Sequence, residues 1–500
     1  METRTQLAKV SSLIDTVHKL SDEEYERTLQ IYNKPEHFQE YKKLIYTGLI
    51  QFFSILALKE LKNVIHSIEM RKISLSMKES GNPLINIFFQ PFFFEKNTYF
   101  QLNSVWNKIA TLIKIRFLKP DDRFGAEISR VVGLAKKSSE YTNHRVKTFI
   151  DQLRGSKDND LFLQLRKESE HGLEPEYLYK MNNRFEDINF NKCIELFIQI
   201  IETLYNEHLT YIPTISDNDV EKLKRKDITP FNLTPLEIKK YIKSNQSQIK
   251  SLYKLTNTTL NYFDYFEPWV MGNEIFKDYQ FIRVPVVILH DIAFRYNDTI
   301  RAFQYFAALY TGNLNRFPDE IANVIKDIDY SYFMNIACIR VYSIWDKIGL
   351  YFTKIFSMPK DKTFFKNAAE WIINNSGSDY KKLRNILKKT IDSDEFKALD
   401  MIRQQYVHGI DLSMKQYEGV VLSDDYIFVT LHYNLENTLG MVEYLHNDFM
   451  PSELRKLFYS IFSGYPEGYL EILNKIRYTR NPYLQPEEYY DQLSEMLLNE

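Results

Sequence analysis

One pattern occurs twice in this chain, in the same order, and it restricts the architecture more than any other feature. The stretch Ser104-Val-Trp-Asn-Lys-Ile109 is echoed by Ser343-Ile-Trp-Asp-Lys-Ile348, and each opens a run ending in Lys-Ile-Arg-Phe117 or Lys-Ile-Phe356. Some sixty residues later the first copy reads Leu165-Arg-Lys-Glu-Ser-Glu-His-Gly172 and the second Ile402-Arg-Gln-Gln-Tyr-Val-His-Gly409. With 21 Arg and 10 His in 500 residues, chance supplies roughly 0.4 Arg-x4-His matches, so a single match would carry no weight. Two matches in register, each followed by Gly, predict an internal duplication.

Extending outward from the Trp anchors predicts a first repeat over residues 1–212, a polar linker over 213–239, a second repeat over 240–450 and a helical C-terminal extension over 451–500. Residues 5–25 pair with 247–268, 39–70 with 280–310, the Trp runs 100–118 with 336–357, and 186–208 with 426–447. Tyr141-Thr-Asn-His-Arg145 and Tyr380-Lys-Lys-Leu-Arg384 share Tyr-x3-Arg. Apolar residues spaced by three and four dominate, as in Leu49, Phe52, Phe53, Leu56 and Leu61, or Ile194, Phe197, Ile198, Ile201 and Leu204. With only 15 Gly and 16 Pro, the expected fold class is all-α.

Composition excludes several classes. A net charge of −2 is not that of a globally basic nucleic-acid coat, although local basic patches remain open. Two cysteines, Cys193 and Cys338, in apolar helical settings cannot build a disulfide framework or a structural zinc site, which favours a reducing cytoplasm. The N-terminus lacks the pattern of a signal peptide, and the longest apolar patch, Ile45 to Leu58, is too short to span a bilayer. His144, His290 and His432 lack metal-ligand spacing, so no metal is expected. Phosphate-loop, dinucleotide and serine-hydrolase motifs are missing, and no cofactor is expected. Trp106 and Trp345 read as core anchors, with Lys108 and Lys347 exposed beside them.

The repeated Arg and His have a definite chemistry. Five residues of helix turn about 500° and rise about 7.5 Å, so Arg166 and His171 sit roughly 140° apart and flank a strip of helix surface. The Gly after each His is the type preferred just past a helix end, which places each His in a last turn. A His titrating near neutrality can move a proton to or from a ribose hydroxyl, while Arg grips phosphate oxygens in a bidentate fork. Together they supply what metal-free RNA transesterification needs. The competing reading is an ordinary Glu–Arg surface, since Arg166 lies among Lys167, Glu168, Glu170 and Glu174.

An all-α domain with a late-helix Arg-x4-6-His motif resembles the HEPN superfamily (higher eukaryotes and prokaryotes nucleotide-binding). The resemblance implies two tandem HEPN-like bundles packed as an intramolecular pseudo-dimer, with Arg166, His171, Arg403 and His408 lining one composite cleft. It implies a metal-independent endoribonuclease, acting as a toxin or anti-phage defence effector, with tRNA or single-stranded RNA as substrate. A neutralising or sensor protein and homodimerisation are the further partners to consider; a membrane is not. The position after Arg holds Lys167 and Gln404 where HEPN nucleases often carry Asn, Asp or His. Leu173 and Ile410 stand where toxins controlled by a nucleotidyltransferase antitoxin carry Tyr, so that control is not expected. Arg145 and Arg384 are candidate phosphate contacts or helix-end ties, and Lys381 and Lys388 lie on the most basic helix face, a candidate RNA track. A non-catalytic HEPN scaffold binding nucleotide, RNA or protein is the alternative function.

Overall fold

The computed structural model of the chain describes residues 2–31, 38–79, 91–118, 128–171, 184–206, 280–310, 319–326, 328–408 and 424–445, with positions 312, 314 and 449. The expected linker, the C-terminal extension and the 247–268 pairing lie outside them. Every regular element among the described residues is a helix, as the three-and-four spacing predicts. These helices fall into two compact units.

The first unit holds α1 (Glu2–Ile31), α2 (Phe38–Glu79), α3 (Pro91–Phe117), α4 (Ile128–Ala135), α5 (Ser139–Thr142), α6 (Arg145–Arg154), α7 (Lys157–His171) and α8 (Phe190–Asn206). Its centre is an antiparallel pair, α2 and α3. Arg71 on α2 binds Glu95 on α3 at 2.6 Å, while Glu60, three turns earlier, faces Lys108 further along α3. Contacts that advance on one helix and retreat on the other define the antiparallel register. α3 is enclosed on all sides, with Val105, Trp106, Ile109, Leu112 and Ile113 buried. α8 covers this pair through an edge contact of Phe197 on Trp106, with ring centroids 5.0 Å apart. α1 is tied to α8 by Lys9 and Glu195 at 3.1 Å and by Gln6 donating to the Asn191 carbonyl.

The second unit holds α9 (Gln280–Tyr310), α10 (Asp319–Ile325), α11 (Tyr330–Ile355), α12 (Phe365–Asn375), α13 (Lys381–Asp392), α14 (Asp394–His408), which belongs here as far as Ile402, and α15 (Asp424–Tyr444). Its centre is again an antiparallel pair, α9 and α11. Lys347 meets Asp291 at 3.5 Å, Arg295 donates to Ser343 Oγ at 3.0 Å, Arg340 reaches Asp298 at 4.0 Å, and the Tyr305 ring stacks on Phe333 at 4.6 Å. Each step forward on α9 is matched by an equal step back on α11. α15 seals this pair: Phe428 packs on Phe303 at 4.9 Å, and the Tyr296 hydroxyl donates to the Leu435 carbonyl at 3.0 Å. At Gly349, α11 comes so close to α12 that a Cβ would stand 2.7 Å from Phe365 Cα. Only glycine lets the two backbones meet there.

The two units share lengths as well as order. α3 and α11 have 27 and 26 residues, with Trp106 and Trp345 sixteenth in each. Both rings are buried, at 1% and 0% exposure, as expected. The lysines are a correction. Lys108 and Lys347 are 3% and 5% exposed, not surface groups. A residue two positions from a buried Trp points about 200° away around the helix, which would reach water on a half-buried helix. Here the far face is interior too, and each Lys is carried in by a carboxylate of the preceding long helix, Glu60 or Asp291. Ser104 lies beside Glu60, and Ser343 accepts from the Asp291-bound Arg295. Burial raises the Glu60 carboxyl and lowers the Lys108 ammonium, and their mutual attraction opposes both shifts. The repeated Ser-x-Trp-x-Lys block is thus a buried polar staple of a helix hairpin. Cys193 and Cys338 are buried thiols, and burial pushes Cys193 up to about 12.

Candidate functional site

The two motif helices, α7 and α14, are each 15 residues long, with Arg tenth and His fifteenth. Each begins in the same way. Ser156 Oγ accepts from the Asn159 amide at 3.1 Å and donates to the Leu153 carbonyl at 2.8 Å. Ser393 Oγ accepts from the Phe396 amide at 3.2 Å and donates to the Thr390 carbonyl at 2.9 Å. One serine therefore caps the motif helix and closes the end of the helix before it. Carboxylates follow in both first turns, Asp158 and Asp160 or Asp394 and Glu395, where the helix dipole favours them.

Against the core, α7 and α14 are held differently. Trp106 Nε1 donates to Asn159 Oδ1 at 2.9 Å, and Arg166 Nη1 donates to Asn103 Oδ1 at 3.2 Å. Both bonds join α7 to α3. In the second unit Phe396 stands in the place of Asn159, third in its helix, and meets Trp345 edge-on at 5.8 Å. Tyr342, in the place of Asn103, stacks on the same Phe396 at 6.3 Å. Trp345 Nε1 is buried with no hydrogen-bond partner among the described residues. An aromatic cluster stands where the Trp106–Asn159 tie lies in the first unit.

Arg166 and Arg403 are both half-buried. The side chains of His171 and His408 lie outside the described residues, as do Gly172, Gly409, Leu173, Ile410 and the side chains of Gln404 and Glu170. Their backbones place both His at the ends of α7 and α14. Lys167 is exposed. Glu168 is engaged, accepting from Gln164 at 2.7 Å and lying 3.9 Å from Arg184, so a cation tempers the acidic face of the first motif.

The secondary candidates separate. Arg145 is exposed at the start of α6, its guanidinium 5.2 Å from the Phe149 ring centroid. Its neighbour His144 is a helix cap, with Nδ1 accepting from the Val146 amide at 3.1 Å. Arg384 is half-buried and donates to the Ser376 carbonyl at 3.4 Å, tying off the end of α12. Lys381 and Lys388 are exposed on α13 seven residues apart, hence on one face. Lys382 lies over the Tyr444 ring at 5.0 Å. His432 is buried beside Glu436 at 3.3 Å, and the His290 side chain lies outside the described residues. Among the described residues no three His, Cys, Asp or Glu stand where they could share a metal ion, and no helix is long and apolar enough to cross a membrane.

Sequence reasoning missed Asn103, Asn159, Glu60 and Asp291. A signal existed for the last: Asp291 is the first carboxylate after a long apolar run, Val284 to His290, and could not be there unpaired. Asn103 and Asn159 carry no such mark, because an amide on a helix reads like any other polar residue until its partner on another helix is known.

An all-helical protein with two Arg-x4-His helices of equal length defines the structural class. Residues 291–443 match the family model described as HEPN_Cthe2314-like HEPN. The match begins at Asp291, takes in the Ser343–Lys347 block and the Arg403–His408 motif, and leaves residues 1–290 outside it. No curated protein and no solved structure matches the chain.

Proposed function

We propose that this protein is a metal-independent endoribonuclease built from two HEPN-type repeats, with Arg166, His171, Arg403 and His408 as its site. One observation carries the reading. The same 15-residue helix, serine-capped at the same point, occurs twice in the chain with Arg tenth and His at its end. In the mechanism, one His takes the proton of a ribose 2′-hydroxyl, whose oxygen attacks the adjacent phosphorus. The P–O5′ bond breaks and the other His protonates the leaving 5′-oxygen. Both Arg stabilise the charge that grows on the phosphoryl oxygens. The products are a 2′,3′-cyclic phosphate and a 5′-hydroxyl. The exposed Lys381–Lys388 face of α13 supplies a track for the RNA backbone, with Arg145 a further phosphate contact. A role as a toxin or anti-phage effector in the cytoplasm fits this chemistry, with tRNA or single-stranded RNA as substrate and a neutralising protein as partner.

The half-burial of both motif arginines favours one second reading, a scaffold that uses the motif as a polar binding surface for nucleotide, RNA or protein. Incubating purified protein with single-stranded RNA in EDTA and analysing the product ends separates the two. Cleavage with cyclic phosphate and 5′-hydroxyl ends is the expected result. Cleavage abolished by EDTA, or 5′-phosphate ends, would overturn the mechanism, and RNA retained uncut would establish the scaffold.

A further inference from the structure

Asn103 and Trp106 lie one turn apart on α3, and their partners Arg166 and Asn159 lie two turns apart on α7. The two hydrogen bonds therefore fasten one face of the motif helix to the core. The Trp106 bond, fully buried, fixes the position of α7. The Asn103 bond, nearer the His end, fixes a guanidinium. Its acceptor is a neutral amide oxygen, so the contact orients Arg166 without cancelling its charge. A carboxylate in that place would hold the group equally well and neutralise it. The second unit has Tyr342 and Phe396 at the corresponding places, so no asparagine stands at either position there.

We infer that Asn103 is a positioning residue: it pre-orients Arg166 for an RNA phosphate. The inference rests on the nuclease reading. A pre-oriented arm acts on the charge that develops during reaction, and misplacing such a group costs between about tenfold and a hundredfold in rate. Binding of the RNA ground state, spread over many phosphates, changes much less.

The test uses the full chain with a single-stranded RNA oligonucleotide in EDTA, comparing wild type, Asn103→Ala and Asn103→Asp. Thermal melting supplies the folded fraction. Asn103→Ala is expected to lower kcat per folded molecule by about tenfold or more, with KM and the salt dependence of binding nearly unchanged. Asn103→Asp is expected to lower kcat as well, and to reduce the slope of log affinity against log salt by roughly 0.7, one phosphate contact on a single strand. A merely structural asparagine would not move that slope. Unchanged kcat per folded molecule in Asn103→Ala, or an unchanged salt slope in Asn103→Asp, would overturn the inference alone. A wild type that does not cut RNA would overturn the nuclease reading and this inference with it.

Discussion

At the scale of single residues, the described interior is richer in polar groups than an all-α core requires. His66 is the extreme case. It is 2% exposed on α2, with both ring nitrogens lacking a hydrogen-bond partner among the described residues. Burial, assisted by Lys62, holds its pKa down to about 4 from an ordinary 6.5. The sign of the pH effect follows. Between these two values the unfolded chain binds a proton at this site that the folded chain refuses, so stability falls as pH drops from about 6.5 to 4 and levels off below. The full loss is on the order of 3 kcal/mol. Urea unfolding of wild type and His66→Leu across this range should show their stability difference shifting against wild type as pH falls. A difference that does not change with pH would contradict the burial of a neutral imidazole.

At the scale of elements, the repeated Ser-x-Trp-x-Lys block explains why the two hairpins pack as they do. Each buries a Trp on one side and a Lys–carboxylate pair on the other, Glu60 with Lys108 and Asp291 with Lys347. Replacing Lys108 by Met leaves a buried carboxylate unpaired and should cost about 3–5 kcal/mol. The double variant Glu60→Leu/Lys108→Met removes both charges and should recover most of that loss in chemical denaturation. Additive losses would show that the two groups do not act as a pair. The helices, the Trp anchors and the order of elements were legible in the sequence because apolar periodicity and a repeated motif report on burial directly. The burial of Lys108 was not, since a lysine two places from a Trp reads as the wet face until its partner on another helix is known. Asn103 was illegible for the same reason: its role exists only through Arg166, some four helices further along the chain. Of the two roles the sequence offers Arg384, phosphate contact and helix-end tie, the bond to the Ser376 carbonyl is the helix-end contact.

At the scale of the whole molecule, the HEPN match spans residues 291–443, and helix length, capping serine and motif position run parallel between α7 and α14. These parallels support the tandem duplication we propose, with Asn103 and Asn159 in one copy where the other holds Tyr342 and Phe396. Such divergence is what a composite site permits, since each copy need supply only half of the chemistry. The most direct test compares wild type with His171→Ala, His408→Ala and the double variant on total tRNA and single-stranded RNA in EDTA. The account predicts that either single substitution abolishes cleavage, because acid and base come from different copies. Cleavage that survives in the double variant would contradict it.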